Sequence, residues 1–208
     1  WNGSTSFHFT ATDNNGGTSS QATASINVTP VNDPPVAIAD TGSTDQNTLL
    51  SKDAASGVLT NDSDIDGGSL NVTSISFGSG SGVPVASGGT TVNGAFGSLL
   101  IAPNGSYTYT PGDAAKALVA GQSANDVFTY SVSDGNGGTA TTTLTIQVNG
   151  LNDAPVIGGV ATGNVSEDGT LATGGNLTIT DPDAGQSSFI AQTAQGTYGT
   201  LSLQSNGS

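Results

Sequence analysis

The chain has 208 residues, a formal net charge of −14 and only two basic residues, Lys52 and Lys116. Because so few cations cannot neutralise phosphates, the charge excludes nucleic acid as a direct partner and an anionic membrane surface as well. Cysteine is absent, so a disulfide framework is impossible, and no stretch is long and apolar enough to predict membrane insertion.

The hydrophobic residues, 34 % of the chain, occur in short Val-, Ile- and Leu-rich runs flanked by Thr, and there are 31 glycines. This composition favours many short β-strands and disfavours long helices. Disorder is the alternative for so low an apolar content, but the regular alternation of apolar and polar residues argues against it. Glu167 is the only Glu among 16 acids. Asp is the acid typical of turns and of loop-borne metal ligands.

One polar phrase occurs twice, as VNDPPVA at 31–37 and as LNDAPVI at 151–157. The stretches before the two copies match, at 7–28 and 128–148, and the stretches after them match as well. We therefore expect both ends of the chain to fall inside modules of a longer protein. The predicted domains are the C-terminal strands of a truncated module at 1–30, a complete β-sandwich module at 31–153, and the N-terminal half of a further module at 154–208.

Within the complete module, alternating residues predict short strands, with Leu70, Val72 and Ile75 as core contributors. The segment 111–121 is expected to hold a single helical turn, and 79–94 a Gly-rich loop. The DGNGG turn should join the last two strands as a hairpin. About seven strands predict an all-β, immunoglobulin-like sandwich. The predicted strands lie at 69–77, 98–102, 106–110, 127–133 and 139–148.

The acidic residues are expected to gather at the two ends of this sandwich, because successive strands run alternately down and up. One end receives the linker before the module, the loop that contains DxD, and the last hairpin loop. The other end receives the first loop, the segment before the 127–133 strand, the second linker and the next DxD. The first set is Asn32, Asp33, Asp64, Asp66 and Asp134. The second set is Asp45, Asp126, Asn152, Asp153, Asp181 and Asp183.

So many like charges would repel one another if they stood bare in a partly buried cleft. A hard cation with six to eight oxygen ligands removes this problem, and Ca²⁺ accepts flexible geometry from carboxylates, amides and carbonyls. The proline after each linker Asp fixes the backbone there and favours an extended entry to the next strand. The alternative is ordinary turn chemistry, which is the reading we give to Asp53, Asp62 and Asp113.

With these motifs assembled, the chain resembles bacterial cadherin-like and VCBS-type tandem modules of giant surface proteins, including repeats-in-toxin adhesins. The resemblance implies tandem immunoglobulin-like (cadherin-like) β-sandwich modules that bind Ca²⁺ at their junctions. It gives Asp45 the role of the early acid, Asp64 and Asp66 that of the DxD, and Asp134 that of the A-x-D motif. The linkers lack the second Asn and the leading Asp of the cadherin phrase. The matching positions elsewhere are Asp13, Asn152–Asp153, Glu167 and Asp181–Asp183.

The resemblance implies a calcium-stiffened spacer of a large extracellular adhesin or surface filament, located at the cell surface. Its partners would be neighbouring modules of the same chain, with self-assembly into filaments left open. The alternative is an adhesive module that binds glycan or protein, for which an aromatic platform is available. An enzyme is not expected, because His8 is the only His and no nucleophile motif is present. The candidate platform is Tyr107, Tyr109, Phe128 and Tyr130.

Overall fold

Fifteen strands and one short helix make up the secondary structure in a computed structural model that describes residues 2–208. Their bounds are β1 Gly3–Phe9, β2 Ala22–Val28, β3 Asp40–Asp45, β4 Leu50–Lys52, β5 Asn71–Phe77, β6 Val83–Pro84, β7 Thr90–Asn93, β8 Gly97–Ile101, β9 Tyr107–Pro111, α1 Asp113–Lys116, β10 Ser123–Ser133, β11 Thr139–Asn149, β12 Val156–Gly159, β13 Leu177–Thr180, β14 Gln192–Gln195 and β15 Thr200–Leu203.

Two sheets form the central sandwich, the name used here for β3 to β11. The five-stranded sheet has the order β3-β11-β10-β5-β6, and the four-stranded sheet has the order β4-β9-β8-β7. Strand β3 pairs with β11 in parallel, whereas the other neighbouring pairs are antiparallel. The two sheets share one apolar core. The predicted all-β, immunoglobulin-like sandwich is confirmed.

The core is built by period-two alternation, because successive side chains of a strand point to opposite faces. In β10, Phe128, Tyr130 and Val132 are buried while their neighbours are more exposed. Both Val72 and Ile75 of β5 are buried although they lie three residues apart, since the register against β10 shifts between Ser131 and Val132. Leu70 packs at the edge of the same core, so all three predicted core residues contribute to it.

Three sequence predictions about elements compare directly with the structure. The last two long strands form the expected hairpin, and α1 supplies the expected helical turn. The prediction of a free loop over 79–94 is wrong, because this segment contributes the edge strands β6 and β7. Two side chains explain this: Val85 and Val92 lie partly buried against the core.

The flanking segments hold smaller sheets. Strands β1 and β2 form one hairpin, and beyond the second linker β12 pairs with β13 and β14 pairs with β15. Many of their large apolar side chains are exposed, among them Phe7, Ile26, Val156 and Leu171. Within residues 2–208, the only helix is far too short and polar to cross a membrane.

Candidate metal centre

The first junction is the place where the linker at 31–34 meets the central sandwich. The backbone N–H of Asp33 donates to Oδ2 of Asp66 at 2.6 Å. The side-chain amide of Asn32 donates to Oδ2 of Asp134 at 2.7 Å. Two consecutive linker residues therefore contact two different loops, one before β5 and one between β10 and β11.

Asp134 is held by its own hairpin loop. Its Oδ1 accepts the N–H groups of Asn136 at 2.7 Å and Gly138 at 3.0 Å. The pKa of the Asp134 carboxyl lies below its usual value, mainly because the Asn32 amide donates to it and further because these two N–H groups do. A Cβ at position 138 would collide with the Asp134 carboxylate and lie 2.9 Å from Pro34 Cα. Glycine is required here because the linker passes so close to the loop.

The DxD loops of the two junctions have the same internal geometry. In the first, the N–H of Asp66 donates to Oδ1 of Asp64 at 2.8 Å. In the second, the N–H of Asp183 donates to Oδ1 of Asp181 at 2.9 Å. In each loop the first Asp therefore fixes the turn and the second is free to receive the linker.

The second junction is the place where the linker at 150–153 meets the loop that follows β13. The N–H of Asp153 donates to Oδ2 of Asp183 at 2.8 Å, as Asp33 does to Asp66 in the first junction. Asp183 is only 1 % exposed. On the other side, the side-chain amide of Gln46 donates to Oδ2 of Asp153 at 2.8 Å. Asp153 thus bonds to one side of the junction through its backbone N–H and to the other side through its carboxylate.

The other residues predicted for the second junction differ in position. Asp45 ends β3 beside Asn149, whose amide is 3.5 Å from Oδ1 of Asp45. Asn152 directs its amide to the backbone carbonyl of Asp153 at 2.9 Å. The residue after Asp45, Gln46, is the one that bonds to the linker.

The predicted position of Asp126 at the second junction is wrong. Strand β10 begins at Ser123, so Asp126 lies inside it and continues the inward alternation of Phe128 and Tyr130. Its side chain is 0 % exposed. The carboxylate accepts the N–H groups of Ala95 and Phe96 and the hydroxyl of Tyr109, the last at 2.7 Å. A buried charge requires such donors, and these three make Asp126 a structural residue of the sandwich.

In addition to the Asp pairs of the two DxD loops, Asp40 and Asp62 form a partly buried carboxylate pair in the central sandwich. Tyr130 donates its hydroxyl to Oδ2 of Asp40 at 2.7 Å, and Asp62 accepts the N–H of Ile38 at 2.7 Å. Burial raises the pKa of both the Asp40 and the Asp62 carboxyls, and for Asp40 the hydrogen bond from Tyr130 opposes part of this shift. The sequence context of Asp62 suggested only a turn-forming role. The structure shows that its carboxylate also accepts a hydrogen bond from Ile38.

Among the described residues, three buried carboxylate oxygens have no hydrogen-bond partner: Oδ2 of Asp62, Oδ2 of Asp64 and Oδ1 of Asp183. Two of them belong to the DxD loops, one at each junction. An unpaired buried oxygen is costly unless a cation or a donor reaches it. Across residues 2–208, no three acidic side chains stand together as a ready metal-binding group. The donor set nevertheless fits a hard oxygen-seeking cation, because each junction offers carboxylate and amide oxygens with one buried oxygen unpaired.

The candidate aromatic platform does not exist on the surface. Tyr109, Phe128 and Tyr130 are fully buried and Tyr107 nearly so. They all face the core because each pair is spaced by two residues on its strand. His8, by contrast, is exposed on β1, where its Nδ1 lies 2.9 Å from the Thr23 hydroxyl. It is a surface strand residue.

The bacterial cadherin-like domain family matches residues 32–150, more than half of the chain. The chain therefore belongs to the bacterial cadherin-like domain family, and the resemblance inferred from its motifs is confirmed. It is an adhesin-type module of a non-enzymatic family, which also confirms the expectation that it is not an enzyme.

One curated relative is the "Calcium-binding lectin RapA2" of Rhizobium johnstonii, which is 28 % identical over 182 residues that cover 78 % of this chain and 76 % of the relative. Among solved structures, the protocadherin γB4 extracellular domain aligns with a TM-score of 0.45 and 18 % identity. That alignment covers 98 % of this chain and 32 % of the other, so the chain spans about a third of that structure. A four-domain fragment of protocadherin γB3 aligns with a TM-score of 0.45, 15 % identity and coverage of 97 % and 56 %.

Proposed function

We propose that this chain is a calcium-stiffened spacer of an extracellular adhesin or surface filament, in which Ca²⁺ bound at the junctions limits the angle between consecutive modules. In this proposal the modules are 1–30, 31–153 and 154–208. The proposed ligands at the first junction are Asn32, Asp33, Asp64, Asp66 and Asp134. At the second junction they are Asp45, Asn152, Asp153, Asp181 and Asp183.

The observation that carries the proposal is the unpaired buried oxygen in each DxD loop. Asp64 and Asp183 each keep one buried carboxylate oxygen without a donor, although the other oxygen of each accepts a backbone N–H. The unpaired oxygen lies on the first Asp of the DxD loop at the first junction and on the second Asp at the second junction. Turn formation alone does not explain a buried oxygen without a donor in both loops, since an Asp that only forms a turn has no need of a second buried oxygen. The name of the lectin relative also supports calcium as the ion.

When bound, Ca²⁺ would supply the positive charge that lets several carboxylates stand close together. The residues of the chain would then act as a clamp, with the linker held between loops that belong to two modules. Extracellular modules bind calcium with dissociation constants of ~10⁻⁴–10⁻³ M, so the junctions would be filled outside a cell and largely empty inside it. A location at the cell surface, with neighbouring modules as the first partners, fits this range.

The test is thermal unfolding of the whole chain in calcium, in magnesium and in chelator. Ligand linkage predicts about 1.4 kcal/mol of added stability per ion when free calcium is about ten times the dissociation constant. For a domain of this size that corresponds to a rise in melting temperature of roughly 4 °C. Magnesium, which prefers rigid octahedral sites, should give a smaller shift. Equal melting temperatures in calcium and chelator would contradict the proposal.

A second candidate function is binding of a polysaccharide, which the name of the lectin relative favours. A groove on the outer face of the four-stranded sheet offers the chemistry for it, with Lys52, Asn104, Ser106 and Thr108 along its lining. Lys52 is the base outside the Lys116–Asp113 ion pair. A glycan array should then lose signal with Lys52→Ala and keep it with the matched variant Lys116→Ala. Equal signals from both variants would exclude this groove.

A further inference from the structure

The second junction contains a neutral side chain that bonds directly to the linker. Gln46 follows β3 directly and is only 1 % exposed. Its side-chain amide is used on both sides. Oε1 accepts the N–H of Leu151 at 3.0 Å, and Nε2 donates to the carbonyl of Leu151 at 3.2 Å and to Oδ2 of Asp153 at 2.8 Å.

This pattern pairs the side chain with the linker backbone as a neighbouring strand would. Both backbone groups of Leu151 are satisfied by one amide, and the third bond fixes the carboxylate of Asp153. The backbone N–H of Gln46 donates in addition to the carbonyl of Asn149 at 2.9 Å, so the residue that holds the linker is itself fixed to the end of β11. A buried amide with this many partners is held in one orientation.

We propose that Gln46 is a metal-independent latch that positions the second linker, so that this junction keeps its geometry before any cation binds. The proposal rests on the proposed calcium function only for the role it gives to Asp153 after positioning. The neutral Gln46 amide stabilises the Asp153 carboxylate by a hydrogen bond when no cation is bound. It does so without adding another negative charge to the cluster. Because Nε2 lies on Oδ2, Oδ1 of Asp153 keeps only a 3.5 Å contact with the Asn47 amide. Oδ1 would then be available to the cation of the proposed function.

The internal repeat shows that this feature belongs to one module. The segment DQNTL at 45–49 corresponds to EDGTL at 167–171, so the residue equivalent to Gln46 is Asp168. Asp168 is exposed. A carboxylate at that position cannot donate a hydrogen bond to a linker carboxylate. The latch is therefore expected from Gln46 and not from the equivalent position of the segment 154–208.

The test measures amide hydrogen exchange by NMR in the whole chain, first in chelator and then in calcium. In chelator, Gln46→Ala should speed exchange of the Leu151 amide roughly fivefold to tenfold, the equivalent of one hydrogen bond. The matched variant Asn47→Ala, which removes the neighbouring amide, should leave that rate unchanged. An unchanged Leu151 rate in chelator-treated Gln46→Ala would overturn the proposal.

Gln46→Glu separates positioning from simple packing, because it keeps the shape and the acceptor but replaces the donor with a charge. In chelator, Gln46→Glu should speed exchange of the Asp153 amide as much as Gln46→Ala does. Calcium should restore protection of that amide in Gln46→Glu but not in Gln46→Ala. If, in chelator, the Asp153 amide were as well protected in Gln46→Glu as in the unmodified chain, the latch would be contradicted. The calcium response of the unmodified chain tests the proposed function separately, since the latch is measured without metal.

Discussion

Asp153 donates its backbone N–H to Oδ2 of Asp183 at 2.8 Å, and this bond ties the second linker to the loop that follows β13. The same kind of bond ties Asp33 to Asp66 at the first linker. The two proposed ion sites are thus copies of one local design, with one linker Asp and one DxD loop in each.

Asp183→Asn should weaken calcium binding at the second junction roughly tenfold or more, because it removes a charge from the ligand set while keeping its shape. Isothermal titration calorimetry on the whole chain measures the change. The matched control is Asp53→Asn, since Asp53 is exposed and bonded only to Ser56. If the two variants bound calcium equally well, Asp183 would not be a ligand.

Gly138→Ala should disturb the first junction by crowding. The new methyl group would collide with the Asp134 carboxylate and with Pro34, so it should weaken calcium binding and cost roughly 1–3 kcal/mol of unfolding free energy. Gly88→Ala is the matched control, because a Cβ there meets no atom within 4 Å. Calorimetry and urea unfolding of both variants decide the matter, and identical behaviour would mean that the linker does not pass so close to the loop.

Tyr109→Phe should destabilise the sandwich by about 1–3 kcal/mol, since it removes one of the donors to the buried Asp126 carboxylate. The loss should be the same in calcium and in chelator, because Asp126 is a structural residue. Urea unfolding measures it. Tyr198→Phe, at a fully exposed position, should change nothing. A loss that appeared only in calcium would return Asp126 to the list of ligands.

The pH dependence of stability should reveal the Asp40 carboxyl. Burial raises its pKa above the unfolded value of about 3.9, so the folded state holds the proton more tightly than the unfolded chain does. Its contribution to stability is therefore complete below pH ~3.9 and is lost as the pH rises through the folded pKa. Compared with Asp40→Asn, the unmodified chain should lose unfolding free energy over that interval. A parallel pH dependence of the two would contradict the assignment, and NMR titration of the carboxyl carbon measures the pKa directly.

Much of the central sandwich follows from local sequence. The alternation through Phe128, Tyr130 and Val132, with a Gly-rich turn after it, is enough to predict the β10–β11 hairpin. The edge strands β6 and β7 were not predicted because Gly and Ser surround Val85, which follows β6, and Val92 of β7, the two valines that pack partly buried against the core. Their existence depends on neighbouring strands, which a local pattern does not contain.

The site was partly predictable for the same reason. A repeated ND-x-P phrase and two DxD motifs indicate which loops meet each linker. The position of Asp126 was not predictable from the sequence, because an Asp before a run of strand residues resembles a loop residue. Its donors Ala95 and Tyr109 come from the turn between β7 and β8 and from β9, which are distant in the chain. Gln46 carried no signal, since a neutral amide in a chain rich in polar residues is not distinctive until its partners in the linker are known.

The most direct test of the central claim is a distance measurement across the first junction. The chain has no cysteine, so Ser25→Cys and Thr91→Cys, both at exposed positions, allow two spin labels to be placed specifically. Pulsed electron spin resonance should give a broad distance distribution in chelator and a narrow one in several millimolar calcium. Asp134→Ala should prevent the narrowing. Distributions of equal width in chelator and in saturating calcium would contradict the account.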